Sequence, residues 1–150
     1  MRADYQGFSY QTLKRFQEAI NDLSKVIKLD PESTTGYFWR SVNHHLLKNV
    51  KSALSDLEQN LKIDPDDAEA KLAKGGILIE SGETEVGIRE IKRVCKQFPD
   101  EPGPSFFLYW AYKKTDQPDK AKQAIEHFRK VKGDEQDEKA HLEELGFVFG

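Results

Sequence analysis

The stretch 25-KVIKLDPEST-34 ends an apolar-periodic segment at Asp30-Pro31, and 59-QNLKIDPDDA-68 ends a second one in the same way at Asp64-Pro65. The interval is 34 residues. Pro99 falls one interval further on, and Gly133 stands where a fourth proline would be. Twelve residues before each of these positions lies a small residue, Ala19, Ala53, Gly87 and Ala121, and four after that an aliphatic one, Leu23, Leu57, Ile91 and Ile125. Three registered columns mark an internal repeat, which has to be settled before any local reading of the chain.

Each unit reads as two helices. Ala19, Ile20, Leu23, Val26 and Ile27 follow the i, i+3, i+4, i+7 spacing of an amphipathic helix, and the segment beginning at Val50 does the same. Proline then stops the helix, since its ring clashes with the preceding turn and it has no N–H to donate. Glu32-Ser33 and Asp66-Asp67 supply caps for the next helix. Inside each unit a break separates the two helices: Lys48-Asn49, Ser81-Gly82-Glu83 and Thr115-Asp116-Gln117-Pro118. Two helices cannot bury their apolar faces alone, so the units must stack. The expected fold is all-α, a right-handed α-solenoid of helix-turn-helix repeats in one domain over residues 1–150. Its repeats cover about 1–33, 34–67, 68–101 and 102–134, with a capping helix and tail at 135–150. The small column is explained by close approach of helix backbones, which leaves room for little beyond a methyl group.

Composition limits the function. The 150 residues carry 23 basic and 26 acidic side chains, a formal charge of −3, with mean hydropathy −0.72. The basic residues form no long run, so nucleic acid is not expected as a ligand. Cys95 is the single cysteine and excludes an internal disulfide; no apolar run has the length of a signal peptide or a membrane span. A cytoplasmic protein without membrane insertion is the expectation, although a chain from which a leader or anchor had been removed would read the same.

The 34-residue pattern resembles the tetratricopeptide repeat family over roughly residues 2 to 133, most closely at the second helices, 15-RFQEAINDLSKVIKLDP-31 and 51-KSALSDLEQNLKIDP-65. In the first helices the columns that the family fills with a large aromatic, a small residue and Tyr hold Ala3, Gly7 and Tyr10, then Tyr37, Ser41 and His44, then Lys71, Gly75 and Leu78, then Ser105, Tyr109 and Tyr112. Lys71, Ser105 and Tyr109 depart from the pattern. The resemblance implies a noncatalytic adaptor that holds a protein or peptide in a concave groove lined by first helices. By the family's geometry the groove-facing residues are Phe38, Trp39, Val42 and Leu46, then Leu72, Ala73, Gly76 and Ile79, then Phe106, Phe107 and Trp110. Such a lining suits an apolar or amphipathic segment, extended or helical. The same aromatic residues at helical spacing also suit a core between helices, and both readings stay open. The family's carboxylate clamp for chaperone tails needs Lys, Asn and Arg where this chain has Asp4, Phe8, Trp39, Glu69 and Ala73, so that ligand is excluded.

The end of the chain, 134-DEQDEKAHLEELGFVFG-150, reads as an acidic capping helix, with Ala140 and Leu142 to Leu145 turned to the fourth unit, and a greasy tail. The tail either enters the aromatic groove of its own or a neighbouring molecule, imitating a ligand, or simply covers the last repeat. The alternative to an adaptor is a structural, self-associating unit or a segment of a longer repeat protein, its groove filled by another subunit or by its own tail. No cofactor is expected. His44 and His45 project about 100° apart on a helix and cannot share a metal, and His127 and His141 have no ligand spacing. Cys95 falls at an apolar position and reads as a small buried hydrophobe. Asp22, Asp56 and Glu58 fall on second helices and read as a solvated face, with Arg40 as a bridge to Asp22 or Asp56.

Overall fold

The computed structural model describes Ala3–Asp4 and residues 8–149. A two-residue strand pair, β1 (Ala3–Asp4) and β2 (Phe8–Ser9), runs antiparallel with Ala3 opposite Ser9. Among the described residues eight helices follow: α1 (Tyr10–Leu29), α2 (Thr34–Leu46), α3 (Val50–Ile63), α4 (Ala68–Glu80), α5 (Thr84–Gln97), α6 (Pro102–Lys114), α7 (Pro118–Lys130) and α8 (Glu135–Glu144). The chain divides into two compact units, Met1–Ala70 and Lys71–Gly150.

The period is built by two kinds of turn. Between units, the Asp30 N–H donates to the Val26 carbonyl (2.8 Å) and the Ser33 N–H to the Asp30 carbonyl (3.1 Å); the same pair of bonds recurs at Asp64 and Asp67, and at Phe98 and Glu101. Aspartate suits the turn because its carboxylate accepts a second backbone N–H, from Glu32 (3.2 Å) at Asp30 and from Asp66 (3.1 Å) at Asp64. Ser33 Oγ then caps α2 by accepting the Gly36 N–H (3.0 Å), and Asp67 Oδ1 accepts that of Ala70 (3.2 Å). Within units the helices reverse through Lys48, Gly82 and Asp116, again 34 apart, all left-handed with φ of +66°, +101° and +54°. Gly133 replaces the fourth proline because the ring of Phe128 occupies the place where a Cβ would stand.

The first unit departs from expectation. The chain before Tyr10 forms no helix among the described residues; the β1–β2 pair stands there and Ser9 Oγ caps α1 by accepting the Thr12 N–H (3.2 Å). Gly7 lies outside the described residues. Tyr10, assigned to a packing column, is 68% exposed at the helix start.

In the first compact unit α1 packs on α2 and α2 on α3. Ala53 and Leu57, from the two predicted columns, are fully buried. Asp56 is buried too, against the expectation of a solvated face: Arg40 reaches it from α2 with a bidentate pair, Nε to Oδ2 at 2.8 Å and Nη2 to Oδ1 at 2.7 Å, and donates through Nη1 to Ser24 Oγ (3.1 Å). Asp22 and Glu58 are exposed as expected. His44 Nε2 lies 3.9 Å from Asp56, yet burial, helped by Arg40, holds its pKa below the ordinary histidine range. His44 is therefore neutral at pH 7 and contributes packing.

In the second compact unit α5 packs on α6, α6 on α7, and α6 on α8. Gly87, Ile91, Ala121 and Ile125 are buried, as their columns require. Leu142 and Leu145 of the capping segment are buried as well, whereas Ala140 is exposed and does not face the fourth unit. It lies between the acidic side chains that give α8 its solvated surface.

Candidate functional site

The richest concentration of aromatic side chains comes from α6. Pro102 at its first turn fixes the start of the helix, and spacing of three then puts Phe107 and Trp110 on one strip and Phe106 and Tyr109 on the next. Gly76 of α4 faces the first strip: a Cβ on it would lie 3.0 Å from Phe107 and 2.6 Å from Phe147. The absence of a side chain at residue 76 opens a slot one aromatic ring deep.

The chain's own tail fills that slot. At the end of α8, Gly146 takes φ +92°, its N–H bonding the Glu143 carbonyl (3.0 Å) while the Phe147 N–H bonds that of Leu142 (2.9 Å). This pair of bonds is the glycine-dependent reversal that closes many helices, and it turns the tail back toward α6. The ring of Phe147 then sits fully buried, 5.2 Å from that of Phe107 and 5.0 Å from that of Trp110, both edge-to-face. The Trp110 indole N–H donates to the Val148 carbonyl at 3.1 Å. The Val148 side chain points out, half exposed, and Phe149 returns to the surface 5.6 Å from Phe106 and 5.7 Å from Tyr109. Phe147 and Phe149 thus turn toward α6 and Val148 away from it, the tail being held by two rings and one main-chain bond.

The large side chains expected to line an open groove have different fates. Phe107 and Trp110 do come together on one strip, but they are 3% and 0% exposed, covered by the tail. Phe106 is buried between helices, its ring 4.9 Å from Phe128 of α7, and also touches the tail. Ile79 is buried toward α5, where Gly87 leaves it space, and Leu72 is buried on the same helix. Phe38 and Val42 are buried in the first unit, Phe38 edge-to-face with Trp39 at 5.3 Å. An open strip through these seven positions is therefore not what the chain presents: interhelical packing or the tail takes each of them out of water. Trp39 and Leu46 stay half-buried, and Trp39 lines a shallow depression of about 260 Å³ with Thr34, Thr35, Phe38, Asp67 and Glu69. Tyr109 is the tail contact that the sequence reading placed in a packing column.

Among the described residues no three His, Cys, Asp or Glu side chains are grouped to hold a metal ion, and no helix is long and apolar enough to cross a membrane. Cys95 is half-buried on α5, and burial pushes its pKa up to about 11. A thiolate is the reactive form, so labelling of Cys95 by a thiol-specific alkylating agent at pH 7.5 is expected to run at least about tenfold slower than that of free cysteine, and to reach the free rate on unfolding. Equal rates in the folded protein would show an accessible, unshifted thiol.

A tetratricopeptide repeat model matches residues 6–33, and the turn at Asp30 near the end of this segment returns at 34-residue intervals at Asp64 and Phe98. That segment matches as a tetratricopeptide repeat. Solved structures share the tetratricopeptide-like, all-α solenoid fold. MamA of Desulfovibrio magneticus RS-1 is 18% identical with a TM-score of 0.65, the match covering 91% of this chain and 78% of that one. Another MamA crystal structure gives the same identity and score over 88% and 75%. A mutant O-GlcNAc transferase of Thermobaculum terrenum is 20% identical with a TM-score of 0.56, over 69% of this chain and 22% of that one. At these identities the likeness is one of fold. No curated protein matches the sequence.

Proposed function

We propose that this tetratricopeptide repeat chain is a noncatalytic protein-interaction module, one domain of stacked repeats with residues 135–150 as cap and tail, and that its α4–α6 face takes an extended apolar segment bearing two aromatic side chains. The observation that carries this reading is the seat of Phe147: a glycine-floored slot between Phe107 and Trp110, with an indole N–H spent on a main-chain carbonyl. A recognition site of that kind reads backbone direction through the Trp110 bond and side chains through the rings, so any Phe-x-Phe segment in extended form meets its requirements. The tail is then a tethered stand-in, present at an effective concentration on the order of millimolar, and a partner must displace it.

The test uses a synthetic GFVFG peptide with a fluorescent label and the chain shortened by residues 146–150. The shortened protein is expected to bind the peptide at least about tenfold more tightly than the intact chain does, because it has lost its tethered competitor. Gly76→Val in the shortened protein should abolish that gain by filling the slot. A shortened protein that keeps its helical circular-dichroism spectrum yet binds the peptide no better than the intact chain would sink the reading. If the intact chain instead runs as a dimer in light scattering and the shortened one as a monomer, the tail is exchanged between molecules, and self-association is the function of the face.

A further inference from the structure

We propose that the opposite side of the last repeats, between α5 and α7, is a second docking surface, and that its occupant is an acidic protein segment bearing aliphatic side chains. Helix α5 buries Gly87, Ile91 and Val94 on one side. Arg89, Lys92, Arg93 and Lys96 recur on another at i, i+3, i+4 and i+7, the spacing of a single helical face. Lys120 of α7 closes the far edge, its ammonium 5.9 Å above the ring of Tyr112. Between them run two adjoining depressions of about 680 and 480 Å³ that share Lys92, Lys96, Tyr112 and Lys120. The floor is apolar: Ile88, Leu108, Tyr112 and Ala124.

Charge identifies the occupant. The chain as a whole carries −3, yet five of the side chains lining this groove are Arg or Lys, against Glu85 alone on the acidic side. Arg93 is partly engaged by Glu90 at 3.4 Å; among the described residues Arg89, Lys92 and Lys96 have no carboxylate partner. A cationic rim over an aliphatic floor complements a segment whose Leu or Ile side chains enter the groove while Asp and Glu reach its edges, and like-charged partners are repelled. Nucleic acid fits less well, because the two depressions offer only the Tyr112 ring and the His127 imidazole as planes for bases to stack on, against an otherwise aliphatic floor.

The probe is a fluorescein-labelled EDLEELDE peptide, read by anisotropy against the full chain. Lys92→Glu with Lys96→Glu is expected to weaken binding at least about thirtyfold, and raising salt from 50 to 200 mM severalfold, since the attraction is screened. Lys92→Gln with Lys96→Gln should give an intermediate loss, and Lys130→Glu, which does not line the groove, less than about a twofold change. All these lysines are exposed, so the fold is preserved, as circular dichroism will register. Equal binding by the reversed and parent proteins, or by the QNLQQLNQ peptide, overturns the proposal. So does a single-stranded RNA octamer binding more tightly than the acidic peptide through the same lysines. Concentration-dependent self-association that the double reversal abolishes would make a second copy the occupant and overturn it equally.

Discussion

Trp110→Ala is expected to lower the free energy of unfolding by about 3–5 kcal/mol, the cost of removing a large, wholly enclosed aromatic side chain. Trp110 has no exposure; its ring contacts Phe107 and Phe147, and its N–H holds the Val148 carbonyl. Truncation therefore leaves a cavity on α6 and frees the tail in one step. In a thermal melt the loss should read as a drop on the order of 10 °C. Trp39→Ala, at a half-buried ring beside an open depression, should cost well under half as much in the same melt. A drop of only a few degrees for Trp110→Ala would mean that the tail does not seal the ring. The comparison separates the two roles that spacing alone left open for the aromatic residues of the first helices: enclosure at Trp110, and a solvent-facing ring at Trp39.

The repeat was legible because it is local. Asp30-Pro31 and Asp64-Pro65 stop helices through bonds that span three or four residues, and Ala53, Leu57, Ile91 and Ala121 fall on buried faces set by helical period alone. What the sequence left unresolved comes from contacts between residues far apart in it. Trp110 is covered by a carbonyl 38 positions away, and nothing in the spacing of α6 says whether a groove-facing column will be open or filled. That the tail would be covered was legible from Phe147, Val148 and Phe149, costly to leave in water, but only Gly76 and Gly146 decide where they go. Asp56 read as solvated because its helix is an outer one; the bidentate reach of Arg40 from the neighbouring helix made burial tolerable. The basic side of α5 escaped notice because Arg89, Lys92, Arg93 and Lys96 make no run, although helical spacing gathers them on one face. The helix expected before Tyr10 failed where Ser9 caps α1 and pairs with Ala3.

Gly87→Val is expected to destabilise the second compact unit by about 3 kcal/mol, against what helix propensity predicts. On propensity alone any side chain except proline in place of a helical glycine helps, by up to about 1 kcal/mol for alanine. Steric contact outweighs this. A Cβ on Gly87 would lie 2.5 Å from the Gly75 carbonyl oxygen and 2.6 Å from Cγ1 of Ile79, and Gly75 in turn has Ile91 at 2.8 Å from its own Cβ position. One obstruction is backbone, which no rotamer change removes, so α4 and α5 must separate, and each added methyl of valine widens the gap. One repeat earlier the same columns hold Ser41 and Ala53, both fully buried, so the α2–α3 packing accommodates a methyl group there. Ala53→Gly there should also destabilise, by about 1 kcal/mol or somewhat more from lost propensity and packing. Inverse substitutions at equivalent positions would then act in the same direction, and chemical-denaturation midpoints for Gly87→Val and Ala53→Gly measure both. A Gly87→Val protein as stable as the parent would show that α4 and α5 do not meet through their backbones, and the slot at Gly76 on the same helix would lose the fixed floor on which the tail's seat depends.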